Sequence, residues 1–211
     1  FALDALRQFG DGCLLFDNEA LLTIATERLG LENPSVEDVN EIITQVFTGL
    51  TAPMRFSGFL TVEVSMRELV MNLVPRPGMH FFTAAFAPLL PNGEKPGSQS
   101  ELIQQLFADD SAFSASAPNS GRYLSAAVLY RGALDDKSQA DSALATLRDQ
   151  LPLTSWIPTA FKIGYVEEPG PDHPSSIVLL ANNTDVGRLL ERICNNFDQL
   201  WHRKAFANWY L

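Results

Sequence analysis

Positive charge is scarce in this chain. Fifteen lysines and arginines stand against 25 aspartates and glutamates, a formal net charge of −10. An acid surplus with no basic cluster repels a phosphate backbone, which argues against nucleic acid as a partner. Long apolar runs are missing as well. None approaches the roughly 20 residues that cross a bilayer, and no signal peptide is legible, so no membrane association is expected. Cysteine is nearly absent. Cys13, in "GCLLF", and Cys194, on the apolar face of a helix, read as buried free thiols of a reducing cytoplasm. Three histidines, His80, His173 and His202, stand far apart with no partner at ligand spacing, which speaks against a zinc site. The glycine-rich phosphate loop, the GxGxxG turn and the Ser/His/Asp or Cys/His sets of nucleophilic enzymes are all missing. No complete catalytic centre is visible within the chain.

What is present is a strongly patterned globular sequence. Its 211 residues are 46% hydrophobic, enough for one sizeable core. It opens at "FALDALRQFG" without Met and closes at "AFANWYL" in patterned sequence, so an internal piece of a longer protein is expected. "FALDALRQ" reads as the end of a helix, "CLLFD" as a buried strand, and "NEALLTIATERLG" as a helix closed by Gly30. Pro34 and Ser35 open a long helix whose apolar positions, Val36, Val39, Ile42, Ile43, Val46, Phe47 and Leu50, keep a 3.6-residue period. Ser35 and Asp38 make a capping box for it, as Ser98 and Glu101 do for "SELIQQLF" further on. After Pro77 the order is β-α-β-α-β-β-α, from "HFFTAAFAPLL" through "SELIQQLF", "GRYLSAAVLYRG", "KSQADSALATLRDQ", "FKIGYVEE" and "IVLLANN" to the long helix that begins near Val186. "GRYLSAAVLYRG" is apolar on both faces, as a central strand is. "FKIGYVEE" alternates, with Phe161, Ile163 and Tyr165 on one face. The class is α/β (α+β): a mixed sheet with helices packed against it.

Between Gly58 and Pro77 the chain reads "GFLTVEVSMRELVMNLVPRP". Met66, Leu69, Val70, Leu73 and Val74 form an apolar helix face that Pro75 stops. Ser65 is a natural N-cap with Glu68 three residues on, a capping box. From periodicity alone Glu68 is a capping residue, and Glu63 is a solvated charge at a strand end.

Six motifs carry a resemblance that covers the whole chain. "FDNEALL", "MRFSG", "NLVPRPGMHFFTAAFAPL", "GRYLSAAVLYRG", "WIPTAFKIG" and "WHRKAFANWY" stand in the order and spacing of the tubulin family. "LFDNEALL", "MRFSGFLTVEVS" and "LPLTSWIPTAFKIGYVEEPG" look most like bacterial tubulins of the A type, which occur with a B-type partner. The resemblance implies that residues 1–34 end the GTP-binding domain and that 35–54 are the core helix. Residues 55–211 would be the intermediate domain with the start of the C-terminal region. It implies a cytoplasmic, cytoskeletal GTPase that polymerises into protofilaments and carries GTP or GDP with Mg2+.

In tubulins the nucleotide lies between successive subunits, and the upper subunit supplies the acid that positions the attacking water. Aligned on "NLVP", Glu68 takes that catalytic position. Aligned from Gly58, where this chain is two residues longer, Glu63 is the alternative. Asn18 matches the asparagine that bonds guanine or ribose, and Asn40 the one that reads the guanine edge; an amide offers the donor and acceptor that a base edge needs. Without the resemblance Asn18 is a helix N-cap and Asn40 an exposed helix residue. Val36 stands where the family usually has an aromatic that stacks on the base. "PNGEKPGS", Pro91 to Ser98, matches the lateral-contact loop, and the loop in "EEPGPDHPSS" is short, as in β-tubulins. The other readings are a non-enzymatic interaction module and a divergent tubulin of the eukaryotic α/β type.

Overall fold

The computed structural model describes residues 2–58, 64–90, 98–108, 113, 121–132, 137–157 and 160–209. In chain order the elements are α1 (Ala2–Phe9), β1 (Cys13–Leu15), α2 (Asn18–Glu27), α3 (Val36–Leu50), a single turn α4 (Ala52–Arg55) and α5 (Met66–Leu73). They continue with β2 (Phe81–Ala87), α6 (Gln99–Leu106), β3 (Tyr123–Gly132), α7 (Lys137–Gln150), β4 (Phe161–Val166), β5 (Ser175–Asn183) and α8 (Val186–His202). The expected order after Pro77 is the observed one.

The five strands form one mixed sheet in the order β1-β2-β5-β3-β4. The outer pairs, β1 with β2 and β3 with β4, are parallel. β5 runs antiparallel to both of its neighbours, with Ala84 opposite Leu180 and Val128 opposite Leu179. Helices cover both faces. On one face Phe82, Ala84, Phe86, Ala127, Leu129, Val178 and Leu180 pack under α2, α3 and α5. On the other, Ala85, Ala87, Ala126, Val128, Tyr130, Leu179 and Ala181 meet Leu102, Ile103 and Leu106 of α6 and Leu144 of α7. Alternate residues of β2, β3 and β5 therefore serve opposite cores, which is why these strands read as unbroken apolar runs. Gly49 lets α3 lie close on the sheet, since a Cβ there would run into Val178 of β5.

Local signals are kept where they are local. All three capping boxes form: Ser35 with Asp38, Ser65 with Glu68, and Ser98 with Glu101. Gly30 takes the left-handed conformation, φ 67°, just past the end of α2. Burial departs from the periodic pattern in several places. Val36 is 72% exposed and Phe47 45%, so the buried stripe of α3 is narrower: Val39, Ile42, Val46 and Leu50. Met66 is exposed too, and α5 is held by Leu69 and Leu73. β4 is buried at Gly164, Tyr165 and Val166, on both faces of its second half, while Ile163 is exposed. Its depth follows its place beside β3 rather than the alternation. On α8 only Val186 and Leu189 are buried. Ile193, Phe197, Leu200 and Trp201 are exposed, and so is Cys194, against the expectation of a buried thiol. On α7 the side chains of Ala140, Ala143 and Leu147 lie outside the described residues.

Candidate functional site

The nucleotide-side candidates sit at two helix starts. Asp17, not Asn18, caps α2: its Oδ1 accepts from the Glu19 N–H at 3.3 Å. Asn18 is the first residue of the helix and is exposed, so its amide is not spent on the cap. Val36 opens α3, and Asn40 follows four residues later on the same exposed side. The Asn40 carbonyl accepts the Thr44 hydroxyl at 2.7 Å, so its backbone is held in the helix while the side chain faces outward. α2 and α3 share one core through Leu21, Ile24, Val39, Ile42 and Val46. That packing fixes the spacing of the two helices that carry the amides.

Glu68 lies at the other end of α3. It stands ten residues of helix, about 15 Å along the axis, from Asn40 to Leu50 and then beyond. There Val64, Ser65 and Glu68 line an open groove of about 560 Å³ with Pro53, Met54, Arg55, Phe56 and Ser57. Glu68 Oε2 accepts from the Ser65 N–H and from the Ser65 hydroxyl, both at 2.9 Å, and the Ser65 hydroxyl accepts the Glu68 N–H at 3.2 Å. The backbone bond first and the hydroxyl second hold the carboxyl below its ordinary value. Arg55 supplies a cation in the same groove, anchored by a 2.8 Å bond to the Thr48 carbonyl and lying 5.1 Å over the Phe56 ring. Arg131 faces Phe56 as well, at 5.2 Å, and donates to the carbonyls of Glu168 and Pro169. Glu63 lies outside the described residues, as does the loop Pro91 to Gly97.

Two buried side chains that the sequence reading passed over set the position of α5. Ser125 on β3 and Asn182 on β5 both donate to the Leu73 carbonyl, at 2.6 and 2.9 Å, and Asn182 also donates to the Met79 carbonyl at 2.7 Å. They satisfy an end-of-helix carbonyl that would otherwise be buried without a partner. The signal for them was a polar residue interrupting "GRYLSAAVLY" and "IVLLANN". Among the described residues no group of three or more His, Cys, Asp or Glu could hold a metal ion. No helix among them is long and apolar enough to cross a membrane.

Residues 77–195, more than half of the chain, match the family model of the tubulin C-terminal domain. The chain belongs to the tubulin family. The tubulin beta-1 chain of Geotrichum candidum is 35% identical over 213 residues, 97% of this chain and 46% of that protein. The tubulin beta-1 chain of Mus musculus is 34% identical over 95% of this chain and 45% of its own length. The tubulin beta chain of Encephalitozoon cuniculi is 33% identical over 99% and 48%. The chain thus spans about half the length of the curated tubulins it matches.

Proposed function

We propose that this tubulin chain is part of a GTP-binding, GTP-hydrolysing cytoskeletal subunit of the bacterial A type, working in the cytoplasm beside a B-type partner. Subunits stack head to tail, and each acts on its neighbour's nucleotide. The observation that carries this reading is the separation of the two candidate groups. Asn40 and Val36 lie at the start of α3, and Glu68 lies past its far end. A heterologous contact brings one end of a subunit against the opposite end of the next, so a divided site is completed by stacking.

Exposed amides at Asn18 and Asn40, with the exposed apolar surface of Val36, suit a guanine or ribose. The described residues offer no glycine-rich cradle for the phosphates, which in this reading belongs to the rest of the protein, with its Mg2+. When bound, GTP supplies the phosphoryl group that is hydrolysed. The part of this chain is to orient water. Glu68 uses Oε2 for its capping box, and among the described residues Oε1 takes no bond. A carboxyl held below its ordinary value is a weak proton acceptor at neutral pH, so its role is to aim the water rather than to keep its proton. Glu63 is the alternative acid. The loop 91–98 is proposed as the lateral contact.

The test is sedimentation of the intact protein with a B-type partner. Both proteins should pellet together with GTP and not without it. Identical filaments from the A-type protein alone, at equal concentration, would overturn the heterodimer. A β-like subunit of the eukaryotic kind is the second reading. It is favoured by the tight turn in which the Gly170 N–H donates to the His173 carbonyl at 3.1 Å, within the short loop before β5.

A further inference from the structure

One side chain ties the first turn of α2 to the last helix. Arg192 on α8 donates from Nη2 to Asp17 Oδ2 at 2.7 Å and from Nη1 to Glu19 Oε2 at 2.9 Å. These two carboxylates belong to the residues on either side of Asn18. Asp17 is 7% exposed, and it is also the α2 cap. Its N–H donates to the Phe113 carbonyl at 2.9 Å, and its carbonyl accepts the Leu21 N–H at 3.0 Å. Glu19 is far more open, with 78% of its side chain exposed, so only a fixed partner holds it in one place. The guanidinium is planar and its donors are set in a rigid fork. Bridging two carboxylates with it fixes both at once, and with them the peptide that carries Asn18.

We infer that Arg192 is a positioning residue for the nucleotide contact at Asn18, aiming its amide by clamping both neighbours from another helix. The inference rests on the proposed reading of Asn18. Without Arg192, the buried Asp17 carboxylate loses its counter-ion. That is a costly state, relieved by swinging Asp17 toward water, and the first turn of α2 then loosens.

The experiment is a double-mutant cycle on GTP affinity in the intact protein, with thermal melting in parallel. Asn18→Ala removes the contact and is expected to weaken GTP binding about tenfold, the scale of one hydrogen bond. Arg192→Ala is expected to weaken it by a comparable factor. The double variant should lose no more than Asn18→Ala alone, because Arg192 acts only through Asn18. Arg192→Lys keeps the charge without the fork, folds with the least disturbance, and should fall between wild type and Arg192→Ala; paired with Asn18→Ala it gives the same cycle if Arg192→Ala does not fold. An unchanged affinity in Asn18→Ala overturns the reading of Asn18 and the inference with it. A weakened Asn18→Ala beside a normal Arg192→Ala overturns the positioning role alone. So does a double variant whose loss is the product of the two single losses, because a purely structural Arg192 weakens binding whether or not Asn18 is present.

Discussion

Two helices of this tubulin chain start in the same way. At α5, Ser65 and Glu68 exchange bonds, and at α6, Ser98 and Glu101 do the same. In both, the acid reaches back to the backbone N–H of the serine, at 2.9 Å and 3.1 Å. Both acids are exposed. The local geometry differs by one bond, the Ser65 hydroxyl donating to Glu68 Oε2 at 2.9 Å. The surroundings differ more. Helix α6 buries Leu102, Ile103 and Leu106 in the core on one side of the sheet. Helix α5 lies at the far end of α3, in a groove with Arg55 and Phe56, and its C-terminal end is pinned to the sheet by Ser125 and Asn182. The lesson is that a capping box reports helix stability wherever it occurs, and only its neighbourhood can give it a second role.

The sharpest way to break the comparison is turnover. In the intact protein, Glu68→Ala should slow assembly-dependent GTP hydrolysis at least about tenfold and leave assembly intact, since misplacing a reacting group by about 1 Å can cost about 10²-fold. Glu101→Ala should leave the rate unchanged. Phosphate release per assembled subunit measures both. Equal rates for the two variants would return Glu68 to capping alone. A collapse in Glu63→Ala with a normal Glu68→Ala would move the acid into the preceding segment.

A smaller effect tests what the helix starts share. Ser65→Ala and Ser98→Ala should each cost about 1 kcal/mol of stability by denaturant unfolding, the usual value of an N-cap. A cost at α5 several times that at α6 would mean that Ser65 has a further structural partner.

The smallest effect is in pH. The Glu68 carboxyl lies below its ordinary value of 4.5 in the folded chain. A group lowered by folding stabilises the fold above its unfolded value and loses that contribution as pH falls through the folded one. The melting-temperature gap between wild type and Glu68→Gln should therefore be open near neutral pH and close as pH drops from about 6 to about 3. A gap that widens in acid would contradict the assigned bonds.

Much of the architecture was legible in the sequence. The three boxes, the glycine stop at Gly30 and the element order after Pro77 are carried by residues a few positions apart, and they appear where expected. The candidate site was legible only in part. The motifs pointed to Asn18, Asn40 and Glu68, but not to Asp17 as the cap that leaves the Asn18 amide outside. Nor did they show Arg192, which meets Asp17 across most of the chain length.

The sequence by itself determined the order of helices and strands after Pro77 and the starts of the helices that carry capping boxes, because periodicity and capping act over three or four residues. It also determined that β3 is covered on both sides, because both of its alternating faces are apolar. Tertiary structure alone decided that β5, the last strand in the chain, lies between β2 and β3. It also decided which apolar residues stay uncovered. Val36, Phe47 and the α8 series from Ile193 to Trp201 have the same periodic spacing as residues that are buried. Burial depends on which distant element arrives against a face, and no spacing within a helix encodes that arrival.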